Sequence, residues 1–355
     1  MSQVIDQVVL SDAAPENTAT MLGIAQTRYG TNPEEVLRLT TVARPSIGEG
    51  EVVVRVSAAS VDRGTWHLMS GLQYLIRLGS GLRRPKALNP GRSFAGTVVA
   101  VGNDVTEFKV DDRVYGTGSG AFSQFVGAQT KRIAVMPTNL SFDQAAAVPV
   151  SGLSALQALR DKAEAKSGDK VLVIGASGGV GTFCVQIAKS YGADVTGVCS
   201  SAKVDLVRSL GADAVIDYTV ESFLDGDQRY DVIIDTGGNS RLSDLRRVLA
   251  PRGRLVTVGG ESDARWIWPT AGRQVRSLLL SPFTRQKLRS LIASENGKDL
   301  SELREIIESG DVVPAIAKVF PLAESAAAIR YLQDGHARGK VVIDVDDERQ
   351  RETGY

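Results

Sequence analysis

The stretch Lys170-Val-Leu-Val-Ile-Gly-Ala-Ser-Gly-Gly-Val-Gly181 decides the fold of this chain. Its four aliphatic residues at 171–174 predict a strand buried on both faces. Glycines follow at 175, 178 and 181, and apolar residues then repeat at helical spacing from Val180 to Tyr191. A strand, a glycine turn and a helix N-terminus bring free N–H groups and the positive end of a helix dipole to one point. The stretch therefore predicts a dinucleotide site, formed by Gly175, Ser177, Gly178, Gly179, Val180 and Gly181.

A glycine triplet alone can also be an ordinary turn, so the residues that follow it matter. The spacing departs from G-x-G-x-x-G because the middle glycine comes one residue late. Further apolar runs predict strands at 194–199, 214–216, 231–235, 255–258 and 277–280, with helical patterns between most of them. This alternation predicts an α/β fold with a doubly wound, parallel Rossmann sheet, in which the phosphate site follows the first strand.

The bulk composition excludes several classes of protein. The 355 residues allow two domains, and 41 Lys and Arg balance 41 Asp and Glu, which gives no sign of nucleic-acid or membrane-surface binding. No apolar run reaches the roughly 18 residues that span a bilayer. Residues 1–20 are polar and predict a loose extension rather than a signal peptide. Two cysteines, Cys184 and Cys199, exclude a disulfide scaffold and suit a cytoplasmic protein.

The segments on either side of this sheet follow a different pattern. Short β-like runs at 36–39, 51–56, 94–101, 113–116 and 124–126 predict an antiparallel, barrel-like domain. Beyond residue 297 we expect helices at 300–309 and 323–332 and strands at 312–319 and 340–345, returning to that domain. The predicted division is 1–150 with 297–355 as the catalytic domain and 151–296 as the nucleotide-binding domain. The substrate cleft is expected between them.

Five motifs along the chain carry a family resemblance. They lie at 48–56, 90–102, 175–181, 210–218 and 339–343, and the match extends over about residues 22–345. With these motifs the chain resembles the medium-chain dehydrogenase/reductase superfamily, in its zinc-free, quinone-oxidoreductase-like branch. The resemblance implies a GroES-like β-barrel catalytic domain beside the Rossmann domain and a homodimer. It also implies NAD(P)H-dependent reduction of quinones, enones or other carbonyl compounds.

Metal chemistry is not expected. Zinc needs three or four converging nitrogen or sulfur ligands. The chain has only two histidines, His67 and His336, and no cysteine in the predicted barrel. Where zinc-dependent relatives carry Gly-His-Glu, this sequence has Gly91-Arg92-Ser93. Hydrogen-bond donors are therefore expected to polarise the substrate carbonyl.

The end of the second Rossmann strand indicates the cofactor. NAD sites place an acid there to bind the ribose hydroxyls, whereas this strand runs into Ser200 and Ser201, and Asp194 lies at its opposite end. Lys203 follows, and a cation with hydroxyls suits a 2′-phosphate. The resemblance assigns that phosphate to Ser200, Lys203 and Tyr218, so NADPH is predicted over NADH. Lys203 can alternatively be a solvated helix residue.

Other cofactor contacts follow only from the resemblance. Ser154 matches the hydroxyl residue near the nicotinamide, and Arg338 and Lys340 match the returning strand that closes over the cofactor. The strand ends that border the nicotinamide ring match Val258, Gly259, Gly260, Ser281 and Phe283. Each of these residues can instead be structural.

The candidate catalytic residues lie at 59–71, where relatives line the substrate site. Asp62 replaces the family's usual Asn, Thr65 replaces a common Asp, and His67 stands where several quinone reductases have a tyrosine. A histidine near its normal pKa can donate a proton at neutral pH, although His67 can equally be a hydrogen-bonded residue of a loop wall. The basic segment 77–92 either attracts an anionic substrate, such as a phosphate or CoA ester, or is simply solvated.

The sequence thus predicts a zinc-independent, NADPH-dependent reductase of a quinone, enone or other carbonyl compound. Two alternatives stay open: an NAD(P)-dependent alcohol dehydrogenase, and an NADPH-binding protein without catalysis.

Overall fold

The fold was analysed in a computed structural model, which describes residues 19–72, 76–238, 240–259, 285–335 and 337–346. In these residues the strands form three sheets of two, six and seven strands. The strands are β1 (Thr20–Gln26), β2 (Leu37–Ala43), β3 (Glu51–Val61), β4 (Ser93–Val101), β5 (Arg113–Thr117), β6 (Phe125–Gln129), β7 (Ile133–Val135), β8 (Lys170–Ile174), β9 (Asp194–Cys199), β10 (Ala214–Asp217), β11 (Tyr230–Asp235), β12 (Leu249–Val258), β13 (Lys287–Leu291), β14 (Ile316–Pro321) and β15 (Lys340–Asp344).

The helices connect and cover these sheets. They are α1 (Pro33–Val36), α2 (Arg63–Ser70), α3 (Ile76–Ser80), α4 (Phe142–Ala146), α5 (Pro149–Gln157), α6 (Gly179–Ser190), α7 (Val204–Ser209), α8 (Leu242–Val248), α9 (Gly297–Glu308) and α10 (Ser325–Gln333). A π-helical turn, Ala158–Ala163, extends α5. Among the described helices, none has both the length and the apolar character needed to cross a membrane.

The six-stranded sheet is parallel throughout, in the order β10-β9-β8-β11-β12-β13. Counted from β8, this is the strand order 3-2-1-4-5-6 of a doubly wound Rossmann sheet. The predicted Rossmann fold is confirmed. The fifth strand begins at Leu249, earlier than predicted, and the sixth is Lys287–Leu291. The predicted strand at 277–280 lies outside the described residues.

The strand order reverses between β8 and β11, which are parallel neighbours in this sheet. Crossovers run from β8 to one side and from β11 to the other, so a crevice opens at the carboxyl ends of these two strands. The glycine turn follows β8 and Thr236 follows β11, which places both at the crevice. The fold thus positions the predicted dinucleotide site.

The seven-stranded sheet forms the GroES-like barrel and is antiparallel around β3. β3 pairs with β4, β6 and β15, and β14 lies beside β15. The predicted return of the C-terminal segment to the barrel is therefore confirmed. The residue boundaries of the two domains stay a prediction, and the boundary at 150 and 151 falls inside α5.

The N-terminal part differs from the prediction in two ways. Residues 20–26 form β1, which pairs along its whole length with β2. Residues 33–36 are a single helical turn, so Val36 precedes the strand rather than starting it. The cause is Pro33, whose fixed φ favours the first position of a helix. Residues 1–18, most of the predicted extension, lie outside the described residues.

One hydrophobic cluster joins the two sheets. It includes Tyr115 from the barrel, Leu156 from α5 and Val173 from β8, all completely buried. The Tyr115 hydroxyl also donates to the Leu300 carbonyl at 2.6 Å. Because core packing is dense, this cluster fixes the barrel against the parallel sheet and with it the width of the crevice.

Candidate functional site

The glycine turn requires its glycines for steric reasons. Gly175 has a φ of +81°, and a Cβ there would lie 2.6 Å from Thr236 Oγ1. A Cβ on Gly181 would lie 2.1 Å from the Gly175 carbonyl oxygen. Such distances are shorter than any real Cβ contact, so the turn closes tightly on the first turn of α6. The N–H groups of Gly175 and Ala176 donate to the Val198 carbonyl at 3.1 and 3.0 Å, which anchors the turn to β9.

The N-terminus of α6 fits an anionic group. Gly178 is the N-cap residue and provides no side-chain hydrogen bond, and the first turn carries no acidic residue. The first N–H groups of a helix lack intrahelical partners and normally need a cap, water or a ligand. Val180 and Gly179 are half-buried, whereas Ser177 and Gly181 are buried. The residues present therefore suit the pyrophosphate of a dinucleotide.

A buried lysine lies against this helix end. Lys340, at the start of β15, is 2% exposed, and its Cδ would be 3.1 Å from a Cβ on Gly179. The Gly339 N–H donates to the Ser177 carbonyl at 3.0 Å, which attaches the returning strand to the glycine turn. Lys340 Nζ donates to the Val61 carbonyl at 3.2 Å. The returning strand thus brings a lysine to the predicted phosphate site.

Lys340 and Asp62 are buried neighbours where β15 pairs with β3. Val341 pairs with Val61, the last residue of β3, in the antiparallel register. Lys340 precedes Val341 and Asp62 follows Val61, so these two residues lie opposite each other. Burial lowers the pKa of Lys340, and the Asp62 carboxylate acts in the opposite direction. Asp62 is 8% exposed, and its Oδ2 is buried without a hydrogen-bond partner. An unpaired buried carboxylate oxygen is costly, which makes this atom a candidate acceptor for a ligand hydroxyl.

Asp62 and Thr65 also begin helix α2. Asp62 Oδ1 accepts the Thr65 N–H at 3.0 Å, and the Thr65 hydroxyl accepts the Asp62 N–H at 3.4 Å, which completes a capping box. Thr65 is completely buried. This geometry explains Thr65 by helix capping, whereas Asp62 keeps its second oxygen for another role.

His67 lies two residues after Thr65 in α2 and is half-buried. Its carbonyl accepts the N–H of Gly71, the left-handed residue that ends the helix. The structure thus places Asp62 at the N-cap of α2 and both Thr65 and His67 within this short helix. Their catalytic roles stay predictions.

The predicted 2′-phosphate corner contains residues that sequence reasoning missed. Lys203 Nζ donates to the Gly335 carbonyl at 2.9 Å, and Tyr218 is 62% exposed. Ser200 begins the 3₁₀ turn 201–203 that leads to Lys203. Asp217 ends β10 opposite Cys199, the last residue of β9.

Asp217 belongs to a small hydrogen-bonded group. Its Oδ1 accepts the Thr219 N–H at 3.0 Å and the Thr219 hydroxyl at 2.7 Å, and that hydroxyl lies 2.7 Å from Ser201 Oγ. Hydrogen bonds from Ser201 and Thr219 lower the pKa of Asp217, so it is charged at neutral pH. The parallel register of β9 and β10 places this acid opposite the last residue of β9, directly before Ser200. No local sequence pattern gives that register.

Two serines of α5 lie near the cofactor crevice. Ser154 is 7% exposed, and its hydroxyl donates to the Val150 carbonyl of its own helix at 2.7 Å. Ser151, which sequence reasoning missed, would have its Oγ 3.3 Å from a Cβ on Gly179. Ser151 therefore lies at the N-terminus of α6, whereas the Ser154 hydroxyl bonds within its own helix.

The remaining predicted cofactor residues differ in what the structure shows. Val258 ends β12 half-buried, Gly259 follows with a φ of +72°, and Arg338 is exposed beside Gly339. Gly260, Ser281 and Phe283 lie outside the described residues.

An ion pair occupies the position of the zinc motif. Arg92 Nη2 donates to Glu295 Oε2 at 2.6 Å, and the Thr117 hydroxyl donates to the same oxygen at 3.0 Å. This pairing uses one of the basic residues of segment 77–92 to join the barrel to the segment between β13 and α9. In the part of the chain that the structure describes, no three His, Cys, Asp or Glu side chains converge to hold a metal ion.

Comparisons with known proteins agree with the fold described above. Residues 48–138 match the family model of the alcohol dehydrogenase GroES-like domain, and residues 210–343 match that of zinc-binding dehydrogenase. The chain is 32% identical over 357 residues to the 2-methylene-furan-3-one reductase of Solanum lycopersicum, covering 94% of this chain and 83% of that protein.

A second relative is the chloroplastic NADPH-dependent alkenal/one oxidoreductase of Arabidopsis thaliana. It is 32% identical over 324 residues, which cover 87% of this chain and 76% of that protein. Among solved structures, the quinone oxidoreductase from Coxiella burnetii superposes with a TM-score of 0.80 at 28% identity, covering 92% of this chain and all of the other (100%).

Proposed function

We propose that this chain, which belongs to the quinone-oxidoreductase-like branch of the medium-chain dehydrogenase/reductase superfamily, uses NADPH to reduce a quinone, an enone or another carbonyl compound without a metal. Its membership of the family makes it an NAD(P)H-dependent oxidoreductase with a small-molecule substrate. NADPH, the class of acceptor and the absence of zinc are the proposed parts. The names of two relatives, an NADPH-dependent alkenal/one oxidoreductase and a 2-methylene-furan-3-one reductase, support the cofactor and the class of acceptor.

The observation that carries the proposal is the cationic crevice at the carboxyl ends of β8 and β9. The uncapped α6 N-terminus lies beside Lys340, and Lys203 follows the strand end where an NAD site has an acid. These groups complement two separate phosphates, the pyrophosphate at α6 and a 2′-phosphate at Lys203. When bound, NADPH supplies a hydride to the acceptor.

The residues of this chain then hold the acceptor and move a proton. Asp62 Oδ2, which is buried and has no hydrogen-bond partner, accepts a hydrogen bond from a hydroxyl of the bound cofactor or substrate. His67, half-buried on the same helix, donates the proton that the reduced acceptor needs. The Thr65 hydroxyl completes the capping box of α2 and so supports the position of Asp62.

A panel assay tests the proposal. Loss of NADPH absorbance with quinones, enals and ketones is expected in metal-free protein, verified by elemental analysis after dialysis against a chelator. Activity that disappears with the metal and returns on adding zinc contradicts the metal-free part. NADPH binding without turnover of any acceptor favours the non-catalytic alternative, and faster alcohol oxidation than carbonyl reduction at matched cofactor ratio favours an alcohol dehydrogenase.

The proposal extends to a homodimer that works in the cytoplasm. Both cysteines are buried and unpaired, and unpaired cysteines suit a reducing compartment. Light scattering during size-exclusion chromatography tests the dimer, and cell fractionation tests the compartment.

A further inference from the structure

A cavity of ≈ 410 Å³ lies beside α2, separate from the glycine turn. Its walls come from the end of β1, from α2 and α3, and from the segment 85–90, and they include Gln26, Leu68, Gly79 and Lys86. This volume lies in the range of roughly 300–1,000 Å³ that holds small ligands. Leu68 directly follows His67 in sequence, so the cavity adjoins the helix that carries the candidate proton donor.

The lining selects for an apolar ligand body. Leu68, Pro85, Ala87 and Pro90 supply side chains without hydrogen-bonding groups. A Cβ added to Gly79 would meet no atom within 4 Å, so this wall of the cavity is open. Apolar walls of this kind favour a hydrocarbon chain, because its burial removes apolar surface from water.

Of the polar side chains in the lining, Gln26 and Lys86 select for further features of the ligand. Gln26 is 1% exposed, and its Nε2 donates to the Arg28 carbonyl at 2.9 Å and to the Met69 carbonyl at 2.7 Å. Both amide protons are thus used, and no described residue donates to Gln26 Oε1. Lys86 is exposed on the same cavity and adds a positive charge.

We propose that this cavity is an acceptor subsite for an anionic amphiphile. The hydrocarbon chain lies against Leu68 and Pro85, a hydroxyl or amide N–H donates to Gln26 Oε1, and a carboxylate or phosphate lies at Lys86. The acceptor role rests on the proposed function, since it places the reducible end of the ligand toward α2. The exposed Arg83 and Arg84 precede Lys86 in the sequence and add to the positive electrostatic potential around it.

N-Decanoylglycine is a probe that has all three features. Two matched compounds each lack one: N-decanoylsarcosine has no amide N–H, and the methyl ester has no charge. In the wild-type protein with NADPH, N-decanoylglycine is expected to inhibit the reduction of trans-2-decenal competitively. The methyl ester is expected to inhibit about threefold more weakly, the size of one exposed ion pair. N-Decanoylsarcosine is expected to inhibit about fivefold more weakly or worse, because it leaves the acceptor of the buried Gln26 unpaired.

Variants locate the probe in the cavity. Gly79→Leu fills the open wall and is expected to raise the inhibition constant at least tenfold, whereas Gly79→Ala, the size control, changes it less than twofold. Lys86→Met is expected to raise it about threefold for the acid and to leave the methyl ester unaffected. Arg83→Met, on the same loop but not in the lining, is the charge control. Circular dichroism confirms that each variant is folded.

The outcomes separate this inference from the proposed function. Decenal reduction with inhibition that is non-competitive, or that Gly79→Leu leaves unchanged, overturns the subsite while the proposed function stands. If no acceptor is reduced, calorimetric titration with N-decanoylglycine decides the matter. Binding that follows the same order of variants supports the ligand site but overturns its acceptor role, and absence of binding overturns both.

Discussion

Two glycines with nearly the same φ angle allow the packing of the glycine turn to be measured. Gly175 has a φ of +81° and Gly168 a φ of +79°, but a Cβ on Gly175 lies 2.6 Å from Thr236 Oγ1, whereas one on Gly168 meets nothing within 4 Å. An alanine in the left-handed region costs about 1–2 kcal/mol at either position. Forced contacts in a packed site add about 1–3 kcal/mol. Gly175→Ala should therefore lower the free energy of unfolding by about 2–5 kcal/mol, and Gly168→Ala by about 1–2 kcal/mol.

The Thr236 side chain cannot relieve the contact without loss. Its Oγ1 donates to the Ile174 carbonyl at 2.8 Å, so rotation breaks a hydrogen bond at the end of β8. The turn itself must then shift, and with it the N–H groups at α6. We expect Gly175→Ala to weaken NADPH binding at least tenfold and Gly168→Ala to leave it within twofold.

Two measurements on the same preparations check this reasoning. Urea unfolding followed by circular dichroism gives the order of stability, and fluorescence titration gives the dissociation constant of NADPH. Equal destabilisation by the two alanines refutes the role of the Thr236 contact. Unchanged NADPH affinity in Gly175→Ala refutes the placement of the pyrophosphate at this turn.

Three further substitutions test the site and its support. Lys203→Ala is expected to raise the KM for NADPH about tenfold or more and the KM for NADH much less, since a charged hydrogen bond contributes about 1.5–3 kcal/mol; equal effects contradict the 2′-phosphate assignment. His67→Phe should slow turnover and change the pH–rate profile if His67 donates the proton, and an unchanged profile removes His67 from the mechanism. Burial raises the pKa of Asp299, but hydrogen bonds from Asn296, Gln157 and Arg160 outweigh it and leave the pKa below 3.8. The charged Asp299 side chain therefore stabilises the fold above pH 3.8, and this contribution is lost as the pH falls through the pKa that Asp299 has in the folded protein. In acid unfolding, the free energies of unfolding of the wild type and of Asp299→Asn should therefore converge below pH 3.8.

Local sequence patterns predict the Rossmann half well. β8 is a short aliphatic run, α6 has one apolar face, and β9 has the bounds that its pattern predicts. The strand order follows from the alternation of strands and helices. The β1–β2 pair was missed because Gly23 interrupts the first strand and the helical turn at Pro33 obscures the start of the second.

Long-range register explains what the sequence did not predict in the site. Lys340 and Asp62 become neighbours only because β15 pairs antiparallel with β3, across 279 residues of chain from Lys340 to Val61. The resemblance named both residues but not their pairing. The hydrogen bonds of Glu295 with Arg92 and Thr117 are equally non-local, so the position of the zinc motif gave no sign that Arg92 joins the barrel to the segment before α9.

The Asp217 carboxylate gives the phosphate corner a second charge, and its effect on cofactor choice has a definite sign. A carboxylate near a 2′-phosphate repels it, whereas the same group attracts the two ribose hydroxyls of NADH. Its Oδ1 is held by Thr219, and Ser201 adds a further hydroxyl to the group. If Lys203 binds the 2′-phosphate, Asp217→Asn removes a repulsion and should raise the ratio of kcat/KM for NADPH over NADH. Asp194→Asn, at the far end of β9, is the control. A fall in the ratio of kcat/KM for NADPH over NADH contradicts the NADPH proposal. A loss of kcat/KM for NADH alone shows that Asp217 holds the ribose and that the corner serves both cofactors.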